Sequence, residues 1–236
     1  MKVLRYSWLA LFTLLAGCVS DEGPIEFLPQ TSNLSSYFAV RDPGKKLVYD
    51  NHSFLNGDTL QWTTVEEYIG RPRSLISADG YAPIDIFEAV DSSTGQIVHN
   101  EVFISDTQVV EYGKSCKELG HKFTRFDEAL RVGSSWYANN AYQLPDSTSV
   151  SVLARVEGHP VEVQVGSKVY SDVFIISYLS IGGSAEPGIN NPLRQFIPGT
   201  KEVIYYAKGV GLILRLVYGR DGTTIIAEQK LKGITD

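Results

Sequence analysis

Ser149-Val150-Ser151-Val152-Leu153-Ala154-Arg155-Val156 alternates strictly, with Val150, Val152, Ala154 and Val156 on one side and Ser151, Leu153 and Arg155 on the other. A period of two over eight residues is the signature of a half-buried β-strand. Glu157-Gly158-His159-Pro160 supplies a reversal, and Val161, Val163 and Val165 then alternate with Glu162 and Gln164. Val169 to Ile181 follows as a long apolar run around Val173-Phe174-Ile175-Ile176, the pattern of a strand covered on both faces.

Further out the same grammar continues. Glu202–Lys208, Val210–Tyr218 and Thr223–Leu231, with the turn Gly219-Arg220-Asp221-Gly222, predict a closing three-strand meander. On the N-terminal side, Asn56-Gly57-Asp58 leads into a strand over Thr59–Val65. Pro83–Val90 predicts another, with Ile84 and Ile86 on one face and Asp85 and Phe87 on the other. Asp91-Ser92-Ser93-Thr94-Gly95 turns the chain into Gln96–Ser105, and Thr107–Tyr112 is a further short strand. Residues 113–135 are the least strand-like part; Asp127–Arg131 is at most one helical turn. The chain is mainly β, an antiparallel meander with little helix. A turn, a tryptophan strand and a glycine-marked reversal recur around Trp62 and Trp136, which divides residues 37–236 into two similar halves, 37–124 and 125–236, or is simply the regularity of a meander.

Ahead of this body, Lys2 and Arg5 precede the uncharged run Tyr6-Ser7-Trp8-Leu9-Ala10-Leu11-Phe12-Thr13-Leu14-Leu15-Ala16-Gly17. That run is too short to span a bilayer, which takes about 20 apolar residues, and matches the h-region of a signal peptide helix. It closes on Leu15-Ala16-Gly17-Cys18, which resembles the lipobox of bacterial lipoproteins. The resemblance implies cleavage between Gly17 and Cys18, a diacylglyceryl thioether on Cys18 and acylation of the new amino terminus. Several acyl chains at about 0.8 kcal/mol per buried methylene hold a protein far more firmly than one myristoyl chain. Val19, where an Asp commonly signals retention in the inner membrane, implies the outer membrane, facing the periplasm. Residues 1–17 are then the signal peptide and 18–36, rich in Gly, Pro, Ser and Asn, a lipidated flexible tether.

The formal charge is −6, and loss of Lys2 and Arg5 makes the body more acidic still. With Lys and Arg scattered, nucleic acid is excluded as a partner. Of the two cysteines, the lipid takes Cys18 and leaves Cys116 unpaired, either a buried small hydrophobe or, beside Lys114 and Lys117, an activated thiol. No nucleophile elbow, His-Glu-x-x-His motif or zinc spacing occurs. His52, His99, His121 and His159 are dispersed, and the acid pairs Glu66-Glu67 and Asp127-Glu128 would point to opposite faces of a strand. No catalytic residue, metal or cofactor is expected. Clustering of Cys116 with a histidine and a carboxylate in a cleft would revive an enzyme reading.

Gly133-Ser134-Ser135-Trp136, the hairpin Val156-Glu157-Gly158…Val163-Gln164-Val165-Gly166 and Tyr205-Tyr206-Ala207-Lys208-Gly209-Val210-Gly211-Leu212 form a pattern. It resembles a group of uncharacterised bacterial exported domains, similar in fold to the LolA/LolB-like periplasmic proteins. The resemblance covers residues 125–233 and implies a curved antiparallel sheet, an open half-barrel. His159-Pro160 stands where that pattern has a Glu, and there is little helix to make a lid over an acyl cavity, so the resemblance supports the fold more than lipid carriage. Gly209 and Gly211 lie between strands and mark a bulge or a close crossing of backbones. The function implied is a membrane-anchored envelope module that binds or assembles with an envelope protein partner. The alternative is a carrier of a lipid or other apolar ligand on the concave face. Trp136, Tyr205 and Tyr206 are the candidate binding-face residues; of the two tyrosines only one can point inward.

Overall fold

The structure is a computed structural model and describes residues 34–38, 41–54, 57–77, 80–112, 123–127, 130–143, 149–181 and 199–236. It begins with a 3-10 turn over Leu34–Tyr37 and continues as strands throughout. The first six are β1 (Lys46–Ser53), β2 (Leu60–Ser77), β3 (Gly80–Asp91), β4 (Ile97–Ile104), β5 (Val109–Tyr112) and β6 (Phe123–Phe126). After them come β7 (Ser135–Gln143), β8 (Ser149–Gly158), β9 (Glu162–Val165), β10 (Lys168–Ser171), β11 (Val173–Ile181), β12 (Lys201–Ala207), β13 (Gly211–Tyr218) and β14 (Ile225–Thr235).

Twelve strands form one antiparallel sheet in the order β6-β5-β4-β3-β2-β1-β14-β13-β12-β11-β8-β7. Pairing of β1 with β14 joins two meanders, and β8 pairs with β11 across the separate hairpin β9–β10. The ends of this order, β6 and β7, come back beside each other, so the sheet nearly closes into a barrel and curves further than a half-barrel. Closed sheets remove the exposed edges that open ones must protect. The 124/125 boundary between the two expected halves falls inside β6, and both halves contribute to the one sheet.

Alternation decides what lines the inside. In β8, Val152, Ala154 and Val156 are buried while Ser151, Leu153 and Arg155 are not. Across the ladder, Val156, Ala154 and Val152 face Ile176, Tyr178 and Ser180, and these share a face with Ile204, Glu202, Phe87, Val102 and Phe126. Eighteen buried residues of this kind form the main core, with Tyr178, Phe126, Phe174, Ile176 and Ile204 at its centre.

Several strands differ from the sequence reading, among them β2, which runs on to Ser77 where the reading ended it at Val65. β1 was not expected, because its inward positions run Leu47, Tyr49, Asn51, Ser53 and half of them are polar. Asn51 is fully buried, and its amide donates to Thr64 Oγ1 at 2.9 Å and to the Trp62 carbonyl at 3.3 Å. β6 lies in the stretch read as least strand-like; four residues are too few to show a period, and no helix forms at the described residues Asp127, Leu130 and Arg131. The apolar run Val169–Ile181 is two strands, broken at Asp172, whose φ of 53° lies in the left-handed region. The first described element also falls within the range read as tether: Leu34 and Tyr37 are each 1% exposed and pack in the main core.

At the seam, side chains of β7 and β11 bond to the backbone of β6. The Trp136 indole N–H donates to the Thr124 carbonyl at 3.0 Å, and the Tyr178 hydroxyl donates to the Arg125 carbonyl at 2.7 Å. Trp136→Phe removes the first bond and part of the packing. It is expected to lower stability by about 1–2 kcal/mol with little change in the denaturant m-value, measured by urea unfolding of the folded body.

Candidate functional site

Two polar clusters stand out against the apolar core. The first gathers at the barrel end formed by the β4–β5 turn, the β12–β13 turn and the starts of β1 and β11. Its centre is Asp172. Oδ1 accepts the Tyr37 hydroxyl at 2.7 Å and lies 2.6 Å from His159 Nε2, and Oδ2 lies 3.2 Å from Lys208 Nζ. The His159 ring stacks on Phe174 with centroids 4.0 Å apart and planes within 5°. Burial raises the Asp172 pKa, but the three side-chain donors and the Lys208 charge outweigh it, and the carboxyl ends below its ordinary value. Tyr37 is pushed the other way, well above a normal phenol, by burial first and by Asp172 second. The pair is therefore a neutral phenol donating to a carboxylate, with no activated nucleophile.

The sequence separates these residues widely, and only the sheet joins them. Gly209, with φ of 72°, lets the β12–β13 turn come so close to the N-terminal segment that its amide donates to the Ser36 carbonyl at 2.6 Å. The close crossing of backbones expected from the glycines near 209 is this contact, and a bulge follows between Tyr205 and Tyr206. His159, expected to be solvent-facing or a satisfied structural residue, is the latter; His99, 61% exposed, pairs with Glu88 at 2.9 Å.

The second cluster lies inside the barrel. Arg125 Nη2 pairs with Glu111 at 3.0 Å, and the guanidinium sits 4.4 Å from the Phe123 ring centroid. Arg215 pairs with the buried Glu202. Burial opposes the Arg125 charge, but Glu111 and the neighbouring groups hold it firmly protonated. Burial raises the Tyr178 and Tyr206 phenols well above their ordinary value. Asp85, on the face opposite the isoleucines as expected, is fully buried beside Arg41 at 3.6 Å and accepts the Tyr68 hydroxyl at 3.1 Å. No group of three or more His, Cys, Asp or Glu arranged to hold a metal occurs among the described residues.

The structure separates the three candidate aromatics. Tyr206 points inward, 2% exposed, with its ring edge-on to Phe126 at 4.7 Å. Tyr205 packs in a second cluster with Val163 and Tyr170 of the β9–β10 hairpin. Trp136 bridges the seam. Trp136 and Tyr206 both pack against the main core, and Tyr205 lies on the other face of the sheet. Gly17, Cys18 and Cys116 lie outside the described residues. Neither polar cluster was visible in the sequence; the one available signal was that Tyr37, Asp172 and His159 are polar residues beside apolar runs.

No protein-family model matches the chain, and no curated protein does. Three solved structures are similar to it. One, from Bacteroides fragilis, is described as an exported protein with a YmcC-like fold; the TM-score is 0.51 at 10% identity, over 85% of this chain and all of that one. A Parabacteroides distasonis structure described as a lipoprotein gives 0.49 at 10% identity, over 85% and 99% of the two chains. A β-barrel-like protein from Brucella abortus gives 0.39 at 12% identity, over 83% and 98%. The first likeness establishes the fold and nothing beyond it.

Two measurements probe these clusters. Glu202→Gln leaves the buried Arg215 charge uncompensated and is expected to cost about 3 kcal/mol, of which Glu202→Gln combined with Arg215→Met recovers a large part, read by chemical denaturation. For Asp172 the folded pKa is depressed, so its stabilising contribution is complete above the unfolded carboxylate value of about 4 and is lost as pH falls through the lower folded value. The stability difference between the natural chain and Asp172→Asn should therefore shrink below about pH 4.

Proposed function

We propose that this protein is a lipid-anchored component of the bacterial cell envelope whose β body is a non-catalytic binding or assembly module. The observation that carries the reading is Leu15-Ala16-Gly17-Cys18, closing an uncharged run behind Lys2 and Arg5. Val19 directs the anchor to the outer membrane, with the body in the periplasm. The Bacteroides fragilis structure of the same fold, described as exported, supports the envelope part of the reading.

Support for a module that works through its outer surface comes from how the inside is used. Tyr206, Tyr178, Phe126 and Phe174 pack in it, and the Glu111–Arg125 and Glu202–Arg215 pairs, each between neighbouring strands, place charge on its wall. A carrier of an apolar ligand would need that space lined without charge, so the carrier reading is the weaker one. On the outer face, Tyr137, Leu153 and Leu179 are direct neighbours across β7, β8 and β11, and Tyr137 and Leu179 are 58% and 40% exposed.

Cys18→Ala decides the anchor. The variant should lose incorporation of labelled palmitate and leave the membrane fraction. Palmitate labelling or membrane fractionation equal to the natural chain would refute the reading.

A further inference from the structure

An antiparallel sheet with one face in the core normally turns polar side chains outward on the other. On β1 the outward residues are Lys46, Val48, Asp50 and His52, and on β14 they include the ion pair Glu228–Lys230. The outer wall of β7, β8 and β11 is different. Tyr137, Leu153 and Leu179 stand side by side in one cross-strand row, and Ile181 follows Leu179 on the same face, 44% exposed.

Charge borders this row on one side. Lys201 continues it on β12, and Arg155 lies two residues from Leu153 along β8. The carboxylate beside them is Glu157, whose Oε1 accepts the Ser177 hydroxyl at 2.6 Å and pairs with Lys201 Nζ at 3.2 Å. Glu157 is thus engaged, and the exposed Arg155 has no ion pair among the described residues. A spare positive charge stands next to apolar side chains on a chain whose formal charge is −6. Size decides against a second copy as the occupant. The row and Ile181 cover on the order of 150 Å², where a stable dimer takes about 800 Å² from each partner. Three strands span about 10 Å between the outer two, which matches the diameter of one α-helix with its side chains.

We propose that the Tyr137–Leu153–Leu179 face receives an amphipathic helix of a partner protein, with its apolar stripe on the row and a carboxylate against Arg155. The proposal rests on the reading of the body as a binding module and names the chemistry of what it binds. Apolar side chains supply the contact. The unmatched guanidinium selects an acidic helix over a basic one and sets the direction in which it lies.

Two synthetic helical peptides of about 18 residues test this, each with the same leucine stripe and flanked by Glu in one and by Lys in the other. Both are titrated by fluorescence anisotropy against the full chain carrying Cys18→Ala, which keeps lipid out of the measurement. The Glu peptide should bind about tenfold more tightly than the Lys peptide, with an advantage that shrinks as salt rises. Leu179→Ser should weaken the Glu peptide about tenfold, and Arg155→Glu should reverse the order of the two peptides. Ile97→Ser, an exposed position on the outer face of β4, should change neither. Tyr137→Ser repeats the Leu179 measurement should Leu179→Ser lower the urea midpoint. Equal affinity for the two peptides overturns the proposal, and so does Glu-peptide binding that persists in Leu179→Ser and Tyr137→Ser. Persistent binding of that kind leaves the module reading standing and removes only this face. A dimer in sedimentation equilibrium that Leu179→Ser dissociates also overturns it, because a second copy would then occupy the row.

Discussion

Everything in this fold depends on closing a sheet whose two terminal strands do not form a ladder. β6 is four residues long and is held by side chains of two strands: Trp136 of β7 and Tyr178 of β11 deliver their single donors to the consecutive carbonyls of Thr124 and Arg125. A buried carbonyl left without a donor costs more than an ordinary hydrogen bond contributes. Both donors come from large side chains already packed in the core, so the seam and the core hold or fail together. That is why Trp136, a conspicuous aromatic, serves as a structural bridge.

Closure also explains the charged interior. Strands wrapped into a barrel present every second residue inward whether or not that residue is apolar. Where the inward set includes Asn51, Asp85, Glu111, Glu202 and Arg215, each is matched: Asn51 to Thr64 and Trp62, Asp85 to Arg41 and Tyr68, Glu111 to Arg125, Glu202 to Arg215. Paired charges of this kind add little net stability compared with apolar packing, but removing one partner is costly. At the end that holds the N-terminal turn, the interior is aromatic, and Leu34, Tyr37 and Phe38 fill it. The outer hairpin β9–β10 packs Val163, Val165 and Tyr170 against Leu47, Ile213 and Leu231 at the same end. This end of the barrel is thus packed from two directions, by the chain that precedes β1 and by the hairpin inserted between β8 and β11.

Much of the fold was legible in the sequence. The strict alternation of Ser149–Val156, the meander Lys201–Thr235 and the turn at Asp91–Gly95 all appear where the period of two and the turn residues place them. In that turn Asp91 Oδ1 accepts the Ser93 amide at 2.8 Å, local chemistry that a sequence reports well. β1 escaped because the apolar period stops at Asn51, and β6 because it is short. The break at Asp172 escaped because its cause is a set of bonds to Tyr37, His159 and Lys208, residues distant along the chain.

By itself the sequence determined what is local: the β class, the turns and the acidic charge balance. Each depends on residues within a few positions of one another, where period and side-chain chemistry act directly. Only the tertiary structure decided which face of each strand is inside, that Tyr206 packs in the core with Trp136 while Tyr205 does not, and that Tyr37 reaches Asp172. Those outcomes depend on strand register and on the return of β6 to β7. They are set by the closure of the whole sheet, which no short stretch of the chain encodes.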